Sequence, residues 1–118
     1  MTSEELKKHT KAFAIAIILL DNGFPRKRAA DIICRQLLRA SSSVGANYRS
    51  ACRARSRADF ISKITIVEEE SHESAYWLEL FVESGLMKLE RRAPLIKEAN
   101  ELTAIFTSSG KTAKSNRS

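Results

Sequence analysis

RADFISKITIVEEESHESAYWLELFVESG, residues 57 to 85, carries the most regular pattern in the chain. Phe60, Ile64, Val67, Ser71, Ser74, Leu78 and Phe81 recur at alternating spacings of four and three, a heptad seam held for three repeats. Such a period places every seam residue on one stripe of a helix and has no counterpart in a strand, where the period is two. Ser56 and Asp59 stand at cap spacing before it, and Gly85 follows as a stop, so the pattern predicts a helix over 57–84. Its polar faces hold Glu68, Glu69, Glu70, Glu73, Glu79 and Glu83, which makes it an acidic helix.

The segment before it has the opposite charge. Residues 26 to 57 hold nine Arg and Lys against one acid, Asp31, whereas the rest of the chain holds 11 basic against 13 acidic residues. The net charge of +6 is therefore concentrated in one place. Ile33, Leu37, Ser41 or Val44, Tyr48 and Ala51 draw an inward stripe through it, predicting a second helix over about 27–54. Its middle, Ser41 to Asn47, is rich in poor helix formers and reads either as a loop or as a helix whose small residues admit a close neighbour. The apolar period keeps phase across it, which favours the unbroken helix.

Upstream, Thr2 and Glu5 have capping-box spacing and Leu6, Phe13, Ile17 and Leu20 recur on one face, predicting a first helix over 3–21 that ends in a turn at Asp21-Asn22-Gly23. Downstream, Pro94 suits a first helical turn, and Leu95, Ala99, Leu102 and Phe106 predict a fourth helix over 94–107. Residues 108–118, with Lys111, Lys114 and Arg117, read as a frayed basic tail. The expectation is an all-α, antiparallel up-and-down four-helix bundle formed as one domain over residues 1–107.

Composition excludes several classes. The longest apolar run, Ala12 to Leu20, spans nine residues where a bilayer needs about 20, so no membrane span is expected. Glu4 and Glu5 upstream, and the lack of a small-x-small site after the run, argue against a signal peptide. Cys34 and Cys52 would lie about 27 Å apart on one helix, too far to bridge, which fits a reducing cytoplasm.

Gln36 to Phe81 also carries a resemblance. Leu37-Leu38-Arg39, the Ser-Val-Gly-Ala-Asn run at Ser43 to Asn47, the Arg-rich Ala54 to Phe60, Tyr76-Trp77-Leu78-Glu79-Leu80, and the closing Glu98 to Lys114 are similar to the four helix bundle protein family. Its founding members are encoded by intervening sequences within bacterial large-subunit ribosomal RNA genes. The resemblance implies a four-helix protomer, assembly into a homopentamer, and no enzymatic activity. It extends to the accessory variability determinant of diversity-generating retroelements, implying a reverse transcriptase or other protein as a partner alongside nucleic acid. Ser50 stands where the family often has an acid, leaving this segment more basic.

Arg35 and Arg39 are four apart, as are Arg49, Arg53 and Arg57, so with Arg55 they predict a positive ridge along the second helix. Such a ridge neutralises a row of phosphates, or else pairs with the glutamates of the third helix; both readings stand. Tyr48, amid them, reads as core before it reads as a base-stacking platform, and Trp77 and Phe81 as core or subunit contact. Gly45 is expected to admit a close neighbour, and Asn47 to hydrogen-bond Glu68 and fix register between helices.

Catalytic and metal chemistry find little support. Glu69 and His72 have the spacing of one carboxylate-histidine pair of a di-iron bundle, but the second pair is missing, so no metal or other cofactor is expected. Gly110-Lys111-Thr112 lacks the earlier glycine and the strand of a phosphate loop, and Ser41 to Ser43 lack a base. The expectation is a non-enzymatic oligomer that binds RNA or DNA through Arg35, Arg39, Arg49, Arg53, Arg55 and Arg57. The rival is an assembly subunit or protein adaptor whose charged helices serve protein contacts.

Overall fold

The computed structural model describes residues 1–20 and 24–116. It holds four helices, α1 (Ser3–Leu20), α2 (Arg28–Cys52), α3 (Arg57–Glu83) and α4 (Leu89–Ser115), with no strand among the described residues. The turn expected at Asp21 to Gly23 lies outside the described residues, as does Arg117. Principal extents of 51 × 23 × 20 Å make a rod, longer than its longest helices of 27 residues, about 40 Å each. Helix α3 packs against both α2 and α4, while α1 packs on α2 and, over less of its length, on α4.

Local chemistry accounts for three of the helix ends. Thr2 Oγ1 accepts the Glu5 N–H at 3.1 Å and opens α1. Ser56 Oγ accepts the Asp59 N–H at 3.0 Å and opens α3. Helix α3 closes where Gly85 turns to φ 74°, a left-handed conformation that glycine adopts without steric cost.

The weak middle of α2 is helical throughout. Ser42 and Ser43 hydroxyls donate to the Arg39 carbonyl at 3.1 and 2.7 Å, and Asn47 Nδ2 donates to the Ser43 carbonyl at 2.8 Å, so these side chains are satisfied by the helix itself. Gly45 faces α1, where a methyl group in its place would lie 3.3 Å from Thr10 Oγ1. Small residues thus bring α1 and α2 close, as expected of this stretch.

The core is one cluster. Phe13 and Ile17 from α1, Leu37 and Val44 from α2, Ile64, Val67, Leu78 and Phe81 from α3, and Ala99, Leu102 and Phe106 from α4 are all buried. Each large apolar side chain so buried stabilises the fold by about 1.5–3 kcal/mol against the entropy of ordering the chain. Ser71 and Ser74 sit in the α3 seam fully buried, their hydroxyls returned to the Val67 and Glu70 carbonyls at 2.8 Å each. Phe24 stacks on Phe81 with ring centroids 4.6 Å apart, tying the α1–α2 connection to the end of α3.

Helix α4 departs from expectation at both ends. It starts at Leu89, five residues before the expected start, so Pro94 falls within the second turn rather than the first. There the ring removes the N–H that would bond the Glu90 carbonyl. It also continues to Ser115, through the stretch read as a frayed tail. Tertiary contact is the reason: Gly110 is buried against Ile64, and Arg57 Nη1 donates to the Asn116 carbonyl.

Candidate nucleic-acid interface

Helix α2 divides its residues cleanly. Ala30, Cys34, Leu37, Ala40, Ser41, Val44, Tyr48 and Ala51 face inward at spacings of three and four. This leaves Arg35, Arg39, Arg49 and Arg53 on the exposed side, and Arg55 and Arg57 exposed at the corner into α3. All six predicted arginines therefore reach solvent, but their surroundings differ.

Arg39 is engaged with the acidic helix. Its Nη1 lies 3.2 Å from Glu70 Oε2, its Nη2 pairs with Glu73, and its Nε donates to Gln36 Oε1 at 3.1 Å. Arg57 is spent in part on the Asn116 carbonyl. Arg35, Arg49, Arg53 and Arg55 form no ion pair with a described carboxylate. The two readings of the ridge thus apply to different residues: Arg39 pairs with α3, while these four keep their charge toward solvent.

Arg49 is joined by two lysines that the ridge did not include. With Lys7 and Lys11 of α1 it lines a groove of about 230 Å³ over Gly45 and Thr10. The Lys7 ammonium, 3.0 Å from Glu4 Oε1, holds that carboxyl below the usual carboxylate range, with smaller contributions from Lys8 and Arg49. Lys7 and Lys11 are four apart on α1, so helical spacing was the signal available for them.

At the corner, Arg53 closes α2 with its N–H on the Ser50 carbonyl at 3.1 Å. The Arg55 N–H donates to Asp59 Oδ2 at 3.2 Å, and Lys63 Nζ lies 3.1 Å from the same oxygen. These contacts, that of Lys63 foremost, hold the Asp59 carboxyl below its ordinary value. The backbone at the corner is thereby fixed while the Arg53 and Arg55 side chains remain outside.

The other predicted residues are placed as follows. Asn47 does not meet Glu68: its amide donates to the Ser43 carbonyl one turn back at 2.8 Å, the local side-chain-to-backbone bond that a helix offers an Asn. Glu68 instead lines an α3–α4 groove with Thr107, Lys111 and Lys114. Tyr48 is buried, with its ring 5.3 Å from that of Phe106, and burial followed by hydrogen bonding to Cys52 raises its phenol above the ordinary value. Trp77 is half-buried against the core and donates its indole N–H to Glu73 Oε2 at 3.1 Å. Glu69 and His72 are exposed, and among the described residues no three His, Cys, Asp or Glu side chains gather as a metal site would need.

Two features escaped sequence reasoning. Arg92 is fully buried, its Nη1 donating to the Lys88 carbonyl and its Nε and Nη2 without a partner among the described residues. His9 Nε2 meets Glu98 Oε1 and links α1 to α4.

No helix among the described residues is long and apolar enough to cross a membrane. No curated protein matches the sequence. Among solved structures the chain is similar to a crystal structure of a protein with unknown function from the S23 ribosomal protein family, from Bacteroides thetaiotaomicron VPI-5482. The two share 32% identity with a TM-score of 0.85, over 94% of this chain and 99% of that one. The family described as 23S rRNA-intervening sequence protein matches residues 3–108. With four helices in that arrangement and a match over nearly its whole length, this chain belongs to the 23S rRNA-intervening sequence protein family.

Proposed function

We propose that this protein is a non-enzymatic, oligomeric helical bundle that binds RNA or DNA by phosphate contacts along α2 and its corner with α3. The observation that carries the reading is the exposed row of Arg35, Arg49, Arg53 and Arg55, none paired with a described carboxylate, with Lys7 and Lys11 beside Arg49. Guanidinium groups left unpaired on a convex helix match a line of phosphodiesters and carry no base preference. Arg39 and Arg57, already engaged, contribute less.

The protomer is proposed as an antiparallel up-and-down bundle. Support comes from Arg57 meeting Asn116 while Ile64 meets Gly110, and from Thr10 meeting Gly45. Assembly as a homopentamer is proposed with it, supported by Ile15, Ile18 and Leu19, which stand exposed along α1. A cytoplasmic setting fits two cysteines carried on a single helix, too far apart to bridge.

A mobility-shift series against mixed RNA and DNA tests the binding. Log affinity should fall linearly with log salt, and Arg49→Ala with Arg53→Ala should lower the slope by roughly 0.7–0.9 per charge removed. Absence of binding at low salt, or an unchanged slope, would leave the adaptor reading. That second reading is favoured at one point, Arg39, whose charge already serves a helix-helix contact.

A further inference from the structure

The N-terminal end of α2 has a different shape from the ridge. Arg26, Lys27, Arg28 and Arg35 surround an open cleft of about 760 Å³, walled on one side by half-buried Phe24. None of the four cations pairs with a described carboxylate, and among the described residues Asp31 is the one acid on the wall. Lys27 is the N-cap of α2 and no side chain caps that end, so the partial positive charge of the first turn adds to the four full charges.

A phosphodiester backbone presents one negative charge per phosphate in a line, which suits the ridge. Four cations lining one concavity suit a compact group carrying about two charges and three free oxygens, a phosphate monoester or a polyphosphate end. The volume falls within the range that encloses a small ligand, so a nucleotide can enter. Arg35 on α2 and Arg53 at its C-terminal cap are 18 residues apart, about 27 Å, so the cleft and the corner are separate sites.

We propose that the cleft formed by Arg26, Lys27, Arg28 and Arg35 binds a terminal phosphate group, supplied by the end of a polynucleotide or by a free nucleotide. This goes beyond the ridge reading, with which it shares Arg35 alone.

The test uses the full chain, an exposed-residue double variant, Arg28→Gln with Arg35→Gln, and three probes. These are a labelled single-stranded RNA with a 5′-phosphate, the same RNA with a 5′-hydroxyl, and ATP measured by calorimetry. Circular dichroism verifies that the variant is folded. The expected result is at least about fivefold tighter binding of the 5′-phosphorylated RNA, a gap that the double variant erases. If ATP binds with the same dependence on Arg28 and Arg35, free nucleotides share the site; if it does not, the source is a polynucleotide end. Equal binding of the two RNAs together with no variant-sensitive ATP binding overturns the proposal, and so does a gap that survives in the variant. Failure of both RNAs to bind while ATP binds through Arg28 and Arg35 upholds the cleft and removes the ridge; failure of all three probes removes both.

Discussion

Arg39 on α2 and Glu70 on α3 face each other across the helix pair, with Nη1 3.2 Å from Oε2, and Glu73 closes the same guanidinium from the next turn. The most central arginine of the basic helix is therefore already matched by the acidic one. Arginines on the same face are not interchangeable: those over α3 hold two helices together, and those beyond it keep an open charge.

Arg39→Ala should leave the salt slope of nucleic-acid binding nearly unchanged, in contrast to the Arg49→Ala, Arg53→Ala pair. Its effect on stability should stay below about 1 kcal/mol, because the pair is half-exposed and screened. Glu70→Gln with Glu73→Gln should do the reverse, freeing Arg39 and raising low-salt affinity for RNA. Both are read by mobility shift across a salt series.

Gly45→Ala should destabilise the fold by about 1 kcal/mol, despite the better helix propensity of alanine. Thr10 cannot step aside, since its hydroxyl is bonded to the Leu6 carbonyl at 2.8 Å and the Lys7 carbonyl at 3.2 Å. Against a Thr10→Ala background the closest remaining contact is an ordinary one at 3.5 Å, and Gly45→Ala should become stabilising. Denaturant unfolding of the four proteins of this cycle gives the sign directly.

Arg92→Met should stabilise the protein by about 1–3 kcal/mol at neutral pH, because two guanidinium nitrogens are buried without partners among the described residues. Burial, with a smaller contribution from Arg91, pushes the Arg92 guanidinium down to about 10. Above about pH 10 the unfolded chain then binds more protons than the folded one, so this group favours folding increasingly as pH rises past that point. The advantage of Arg92→Met should accordingly shrink above pH 10. Melting curves of both proteins from pH 8 to 11 follow the difference.

Removing residues 109–118 should cost about 1–3 kcal/mol, since Gly110 and its turn of α4 cover Ile64 in the core. A stretch without tertiary contacts would be lost at no cost. Urea unfolding of the shortened and full chains distinguishes the two.

Much of the bundle was legible because its signals are local and periodic. The α3 seam from Ile64 to Phe81 and the caps at Thr2 and Ser56 need only neighbouring residues to be read. The start of α4 was misread because Pro94 is favoured in a first turn, and nothing local marks Lys88 as the uncapped entry. Its continuation through Ser108, Ser109 and Gly110 rests on contact with Ile64, which propensity does not contain. The exposure of the arginines followed from the apolar stripe, but the partner of Arg39 depends on the register of α2 against α3, which no single helix encodes. Arg91-Arg92 looks like an ordinary solvated pair until burial separates the two.

Trp77, the sole tryptophan, donates its indole N–H to the Glu73 carboxylate that also receives Arg39. The chain therefore contains an optical gauge at the seam between its basic and acidic helices. Any polyanion that draws Arg39 away leaves an uncompensated negative charge beside the indole and changes its emission. A ligand held only by the corner or by the α2 entrance leaves the emission still, so fluorescence reports which stretch of the protein a bound strand has reached.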